Sequence, residues 1–154
     1  SECISADSAS LVEYIFNSET LTKCAFTKVQ VPALFLPERR EMYYDTDAQE
    51  FVNLMAKEFK AFWNDDRKAK MKALGFKSPS EVATLASIVY SEQSKDSDEW
   101  PIIAKLYLNR LDNGMRLESD PTFKFCWGDK LKGVERLLYV HRDIDCEYNT
   151  YKIK

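Results

Sequence analysis

From Thr46 onward, apolar residues recur at Phe51, Leu54, Met55, Phe59, Phe62 and Trp63, with Glu, Lys and Asp between them. A helix of 3.6 residues per turn gathers these side chains onto one stripe, and such a stripe must be covered by other parts of the fold. The spacing predicts one long amphipathic helix over 46–74, begun by Thr46 as N-cap and stopped by Gly75. Its aromatic rings have the shape to stack on sugars, but a helix carrying so many large apolar groups on one side is packing them into a core.

The other elements are read from the same kind of signal. Leu11, Val12, Ile15 and Phe16 give a helix over 8–16, and a short helix follows over 19–25. Pro32 and Pro37 bracket an apolar run over 31–37, which reads as an extended loop leading towards Met42-Tyr43-Tyr44. Ser78-Pro79-Ser80-Glu81 announces a helix start twice, by a capping box from Ser78 to Glu81 and by proline at the first helical position. A further helix is predicted over 98–113, with Pro101 in its first turn and Gly114 at its end. Short alternating segments over 115–118 and 123–127 read as strands around a turn at Asp120-Pro121. Residues 131–140 read as helix and 148–153 as extended chain. The expected class is therefore α+β, a helix-dominated single domain with a small β-sheet, without internal repeats or low-complexity stretches. At 154 residues such a domain buries most of the surface its unfolded chain would expose.

Composition excludes several roles. The balance of 22 Lys+Arg against 25 Asp+Glu, a formal charge of -3, offers no basic footprint for nucleic acid. No run approaches the roughly 18 apolar residues of a membrane helix, and no charged-then-apolar leader opens the chain. Cys3, Cys24, Cys126 and Cys146 are too widely spaced for a paired zinc site. A disulfide, with Cys126 and Cys146 the preferred pair, and buried free thiols are both compatible with them. His141, the sole histidine, has no sequence partner for a triad and reads as a surface or satisfied core residue. No lysine lies in a glycine-rich, phosphate-binding context, so pyridoxal-phosphate chemistry is rejected and no cofactor is expected.

The strongest chemical signal lies in the segment from Val82 to Glu92. At about 100° per residue, Val82, Leu85, Ala86, Ile88 and Val89 share one arc, and Glu92 falls inside it, one turn beyond Ile88. A carboxyl sheltered at the rim of a cleft keeps its proton and can act as a general acid towards a glycosidic oxygen, as in the lysozyme pattern. On spacing alone the plainer reading is a half-exposed carboxylate at a helix end, paired with Lys95.

Several segments, taken in order, shift that balance. They are Leu85-Ala86-Ser87-Ile88-Val89 followed by Glu92, then Asn109-Arg110-Leu111, Gly114-Met115-Arg116-Leu117, Ser119-Asp120-Pro121-Thr122 and Tyr148-Asn149-Thr150-Tyr151. Each is commonplace; their ordered combination resembles the catalytic domain of the YceG-like endolytic murein transglycosylases. The likeness is greatest over 80–154. It is weaker before that, where Leu34-Phe35-Leu36-Pro37 and the long helix after it resemble the family's Pro-Asp-Thr-Tyr region and following helix. Residues 1–154 would then be part of such a domain.

The resemblance implies cleavage within nascent peptidoglycan strands, between N-acetylmuramic acid and N-acetylglucosamine, leaving a 1,6-anhydromuramoyl end. Glu92 falls on the family's catalytic glutamate and would act alone as acid and then base, unlike the carboxylate pairs of ordinary glycosidases. Substrate-contacting positions implied by the motifs are Asn109, Arg116, Ser119, Asp120, Thr122, Tyr148, Asn149 and Tyr151. Asn109 and Asn149 would offer amides to N-acetyl and hydroxyl groups, and Tyr148 or Tyr151 would stack on a sugar. Arg110 and Arg116 would hold peptide-stem carboxylates or orient Asp120 in an ion pair, with the structural role preferred for Arg110. Asp120 makes a turn in the simplest reading and lies near Glu92 in the other. The expected setting is the periplasmic or other extracytoplasmic face of a bacterial inner membrane, with peptidoglycan strands and penicillin-binding synthases as partners and an N-terminal anchor upstream. Two departures stand out. Tyr90 occupies a position where the family commonly has an acidic residue, and the family continues past the position of Lys154 into further catalytic-domain structure. They keep a second class of function in view, a catalytically silent glycan-binding or scaffold module.

Overall fold

The computed structural model describes residues 4–134 and 136–153. The chain divides into two compact units, one reaching to Glu81 and one starting at Val82. Among the described residues there is no β-strand, and no helix is long and apolar enough to cross a membrane.

The first unit is built on α1 (Ser8–Ile15), α2 (Ser18–Cys24), α3 (Ala48–Phe62) and α4 (Asp65–Ala73). Each begins on a side-chain cap. The Asp7 carboxylate accepts from the Ser10 amide at 2.7 Å, an interaction that holds its pKa below the usual value, and Asn17 accepts from the Glu19 amide at 2.8 Å. Asp47 and Glu50 form a reciprocal capping box at the start of α3, so the cap is one residue beyond Thr46. The predicted stripe is indeed core. Met55 and Val52 are buried with Leu21, Val31 and Leu34, while Phe51, Leu54 and Phe59 pack against this cluster. Phe59 also meets Phe26 edge-on, with ring centres 5.2 Å apart.

The single helix expected over 46–74 is broken at Trp63. Asn64 accepts from the Arg67 amide at 2.9 Å, and Asp65 and Asp66 occupy the first turn of α4. This is a complete N-terminal signal, a capping amide followed by two acids facing the positive end of the helix dipole, and it outweighs continued amphipathic spacing. Gly75 does close α4. With φ at 82° it lets its own amide reach the Lys72 carbonyl at 2.9 Å and the Phe76 amide reach Met71 at 3.2 Å. The run over 31–37 is not extended throughout, because Val31–Leu34 is a 3-10 turn with Pro32 in its first turn.

The boundary between the units falls inside the first turn of α5 (Pro79–Glu92). Glu81 accepts from the Lys77 amide at 2.7 Å rather than returning to Ser78, while its own amide faces the Ser78 hydroxyl at 3.4 Å. The second unit continues with α6 (Trp100–Asp112), α7 (Asp120–Trp127) and α8 (Tyr139–Arg142). Among the described residues, Leu85, Val89, Tyr107 and Phe123 are its buried hydrophobic side chains. Cys126 and Cys146 form a disulfide with their Cα atoms 6.1 Å apart, and Cys24 is a free thiol; Cys3 lies outside the described residues. Gly114, φ 64°, closes α6 in the manner of Gly75.

The expected β-sheet is therefore wrong, and the class is helical. Residues 123–127, read as a strand, belong to α7. Asp120 and Pro121 do not make a free turn but fill the first turn of that helix, where a missing N–H costs nothing and an acid is favoured. A five-residue aromatic run cannot by its own alternation distinguish strand from helix. Residues 115–118 are irregular, and 148–153 form turns in which the Lys152 amide reaches the Asn149 carbonyl at 2.9 Å. Of the helix predicted over 131–140, the described residues show Leu131 ending a 3-10 turn and Tyr139 and Val140 beginning α8; Glu135 within that span lies outside the described residues.

Candidate active site around Glu92

Glu92 is the last residue of α5 and is exposed, not sheltered by the aliphatic arc that precedes it. The arc is core only in part, with Leu85 and Val89 buried, Val82 and Ile88 half-buried and Ala86 exposed, and the helix ends at Glu92. Two hydroxyls hold it. Tyr107 of α6 and Ser119, the residue before α7, each donate to Oε1 at 2.6 Å. Among the described residues it forms no ion pair with Lys95.

Both donors are built in firmly. Tyr107 is only 5% exposed, and burial first, then its bond to Glu92, pushes its pKa up to about 12. Ser119 is 1% exposed. Its amide donates to the Thr150 hydroxyl at 3.0 Å, and its carbonyl accepts from the Thr122 hydroxyl at 2.7 Å. The preceding residue, Glu118, stands in the left-handed region at φ 56°, a conformation that non-glycine residues adopt at a cost. Its carboxylate pairs with Arg110 at 2.5 Å and its amide reaches the Thr150 carbonyl at 3.2 Å, which together hold the backbone in that shape. The chain thereby turns so that the Ser119 hydroxyl meets Glu92.

The remaining sequence candidates fall into groups. Thr122 is buried and shares a 2.9 Å hydrogen bond with Thr150 behind Ser119. Asp120 accepts from the Tyr151 hydroxyl and pairs with Arg142 at 3.3 Å, so its cation is Arg142 rather than Arg110 or Arg116. Burial and that bond to Asp120 raise the Tyr151 pKa. The ring of Tyr151 packs on Phe123 and lies under the Arg142 guanidinium, leaving it committed within the chain. Arg116 donates to the Tyr151 carbonyl at 3.0 Å. Asn149 is fully buried, and its amide donates to the carbonyls of Arg142 at 2.7 Å and Ile144 at 2.8 Å while accepting from the Tyr151 amide. Both of its N–H bonds are thus spent inside the loop. Asn109 is exposed on α6, and its carbonyl accepts from the Asn113 amide. Tyr148 is exposed with its ring edge-on to Phe125 at 5.3 Å.

Two participants escaped the sequence reading. Tyr107 lies two residues before Asn109, and an aromatic side chain within an apolar helix is a signal of core, not of a donor. Thr150 lies within Tyr148-Asn149-Thr150-Tyr151, where no local pattern marks it as the partner of Ser119. Tyr90, the departure noted above, is exposed and meets Trp100 with ring centres 5.9 Å apart; the Trp100 indole donates to the Gln93 carbonyl at 2.6 Å. His141 accepts from the Leu138 amide at 3.0 Å, in keeping with a satisfied structural role.

Comparison with known proteins gives a consistent picture. The chain is 32% identical over 108 residues to the endolytic murein transglycosylase of Bacillus subtilis (strain 168), an alignment covering 70% of this chain and 28% of that protein. No solved structure matches. The model of the YceG-like family matches residues 5–154, and the chain belongs to that family.

Proposed function

We propose that this chain is part of the catalytic domain of an endolytic lytic transglycosylase of peptidoglycan, with Glu92 as its single acid and base. The observation carrying the reading is the meeting of three segments at one carboxylate. Glu92 ends α5, Tyr107 comes from the helix bearing Asn109-Arg110-Leu111, and Ser119 opens Ser119-Asp120-Pro121-Thr122. The relative's activity supports the same reaction class.

In the proposed reaction, the Glu92 carboxylic acid gives its proton to the oxygen linking C1 of N-acetylmuramic acid to N-acetylglucosamine. The C1–O bond breaks and the N-acetylglucosamine side leaves as an alcohol. The resulting carboxylate takes the proton of the same muramoyl residue's 6-hydroxyl, whose oxygen bonds to C1 and closes the anhydro ring. Glu92 regains its proton and no water is consumed, so one carboxylate suffices where hydrolases need two. Its exposure at a helix end lets a polymer reach it without unfolding. The disulfide suits an oxidising, extracytoplasmic compartment, where peptidoglycan strands and the penicillin-binding synthases that make them would be the partners.

The second reading, a binding module without turnover, draws on Tyr90, whose exposed ring beside Trp100 is an aromatic pair of the kind that stacks on sugars. Mass spectrometry of products from un-crosslinked strands, with the protein at its full natural length, separates the two. Anhydro-ended fragments that vanish in Glu92→Gln are expected. Reducing-end products would point to hydrolysis, and strand binding without products to the module.

A further inference from the structure

We infer that Tyr107 and Ser119 are positioning residues that divide the labour between the two oxygens of Glu92, anchoring Oε1 and leaving Oε2 to give and take the proton. The inference rests on the acid–base role proposed for Glu92 and adds to it which atom reacts and what stabilises the charge.

Each hydroxyl has one proton to donate, and both protons point at the same oxygen at 2.6 Å. A proton placed on Oε1 would displace one of these bonds. A proton on Oε2 displaces neither, so the acid form carries it there. Both donors are held close to Oε1 by the fold. The Tyr107 ring is buried and its hydroxyl stays protonated until about pH 12, so it remains a donor at any pH where a wall enzyme works. The Ser119 backbone is fixed through its amide to Thr150 and its carbonyl to Thr122, which sets its hydroxyl 2.6 Å from Oε1.

When Oε2 hands its proton to the glycosidic oxygen, negative charge spreads over the carboxylate. Two donors already aimed at Oε1 receive that charge without reorganising, which is the arrangement that lowers a barrier rather than tightening binding. When Oε2 then collects the proton of the 6-hydroxyl, the same bonds remain and the cycle closes. Neither hydroxyl needs to touch the glycan.

The test compares Tyr107→Phe, Ser119→Ala and their combination with Glu92→Gln, using the protein at its full natural length and un-crosslinked strands. Each single variant is expected to lose about tenfold to a hundredfold in kcat with KM unchanged, and the double variant to fall towards Glu92→Gln. A second readout is independent of turnover: the infrared carboxylate band assigned to Glu92 by difference with Glu92→Gln should shift in both single variants. Single variants that keep kcat within about twofold while Glu92→Gln is inactive would overturn the inference but spare the reaction. A rise in KM at constant kcat, or an unmoved band, would also overturn it. An active Glu92→Gln would sink the reaction itself. If one variant fails to fold, the other carries the test.

Discussion

Removing the cross-link between Cys126 and Cys146 probes how far the stability of the unit containing Ser119 rests on restricting the unfolded chain. The two residues are 20 apart in sequence. Opening a loop of that size returns conformational freedom to the unfolded chain worth roughly 3 kcal/mol by the chain-entropy relation. The bridge joins the last turn of α7 to the segment that carries Asn149, Thr150 and Tyr151, so its loss acts on the unit containing the site. A Cys126→Ala/Cys146→Ala double variant should therefore be less stable by about 3 kcal/mol in urea unfolding, monitored by tryptophan fluorescence through Trp127. Reduction of the wild-type protein should give a similar loss. A drop under about 1 kcal/mol would refute the reasoning. It would mean that the reduced, unfolded chain already holds these two segments near one another, so that the cross-link removes little freedom from it.

Asn149→Ala should destabilise by about 2–4 kcal/mol in the same assay, because the carbonyls of Arg142 and Ile144 lose their buried donor; a cost under about 1 kcal/mol would show that water replaces it. Stability should also fall at high pH for a defined reason. Tyr107 and Tyr151 have folded-state pKa values raised above the ordinary value of 10.0, so their contribution is complete below pH 10, where both states are protonated. It is lost as pH climbs from 10 towards 12, since the unfolded chain ionises first; Tyr107→Phe should flatten part of this decline, and an unchanged slope would contradict the shift.

Where the sequence was legible, a local signal had no rival. The stripe from Phe51 to Phe59 became core, and Gly75 and Gly114 ended helices because each allows the positive φ that lets two amides fold back onto the last turn. Where reading failed, two local signals competed. Asn64-Asp65-Asp66 lay hidden inside a continuing amphipathic pattern, and the aromatic run after Pro121 suited strand and helix equally until the helix-start chemistry of Asp120-Pro121 is weighed. The expected shelter of Glu92 failed differently. Angular position on a helix fixes the direction of a side chain but not whether a neighbour covers it, and α5 ends at that residue. What meets its carboxylate is contributed 15 and 27 residues away, a distance at which periodicity carries no information.

The same long-range geometry changes the meaning of the two terminal motifs. Read one by one, Ser119-Asp120-Pro121-Thr122 and Tyr148-Asn149-Thr150-Tyr151 look like two sets of polar groups offered to a sugar. In the fold they are offered largely to each other. Ser119 donates through its amide to Thr150, Asp120 accepts from Tyr151, and Thr122 shares its hydroxyl with Thr150. Asn149 closes the loop that makes these pairings possible by binding carbonyls on either side of Asp143. Mutual hydrogen bonding thus gives the two motifs a structural reason to occur together. Among the described residues of these two motifs, Ser119 is the one that turns a hydroxyl towards Glu92. A framework this committed is a cost only if rigidity is useless. For a carboxylate that stands exposed and, in the proposed reaction, loses and regains one proton, donors held in place by their own framework suit the chemistry.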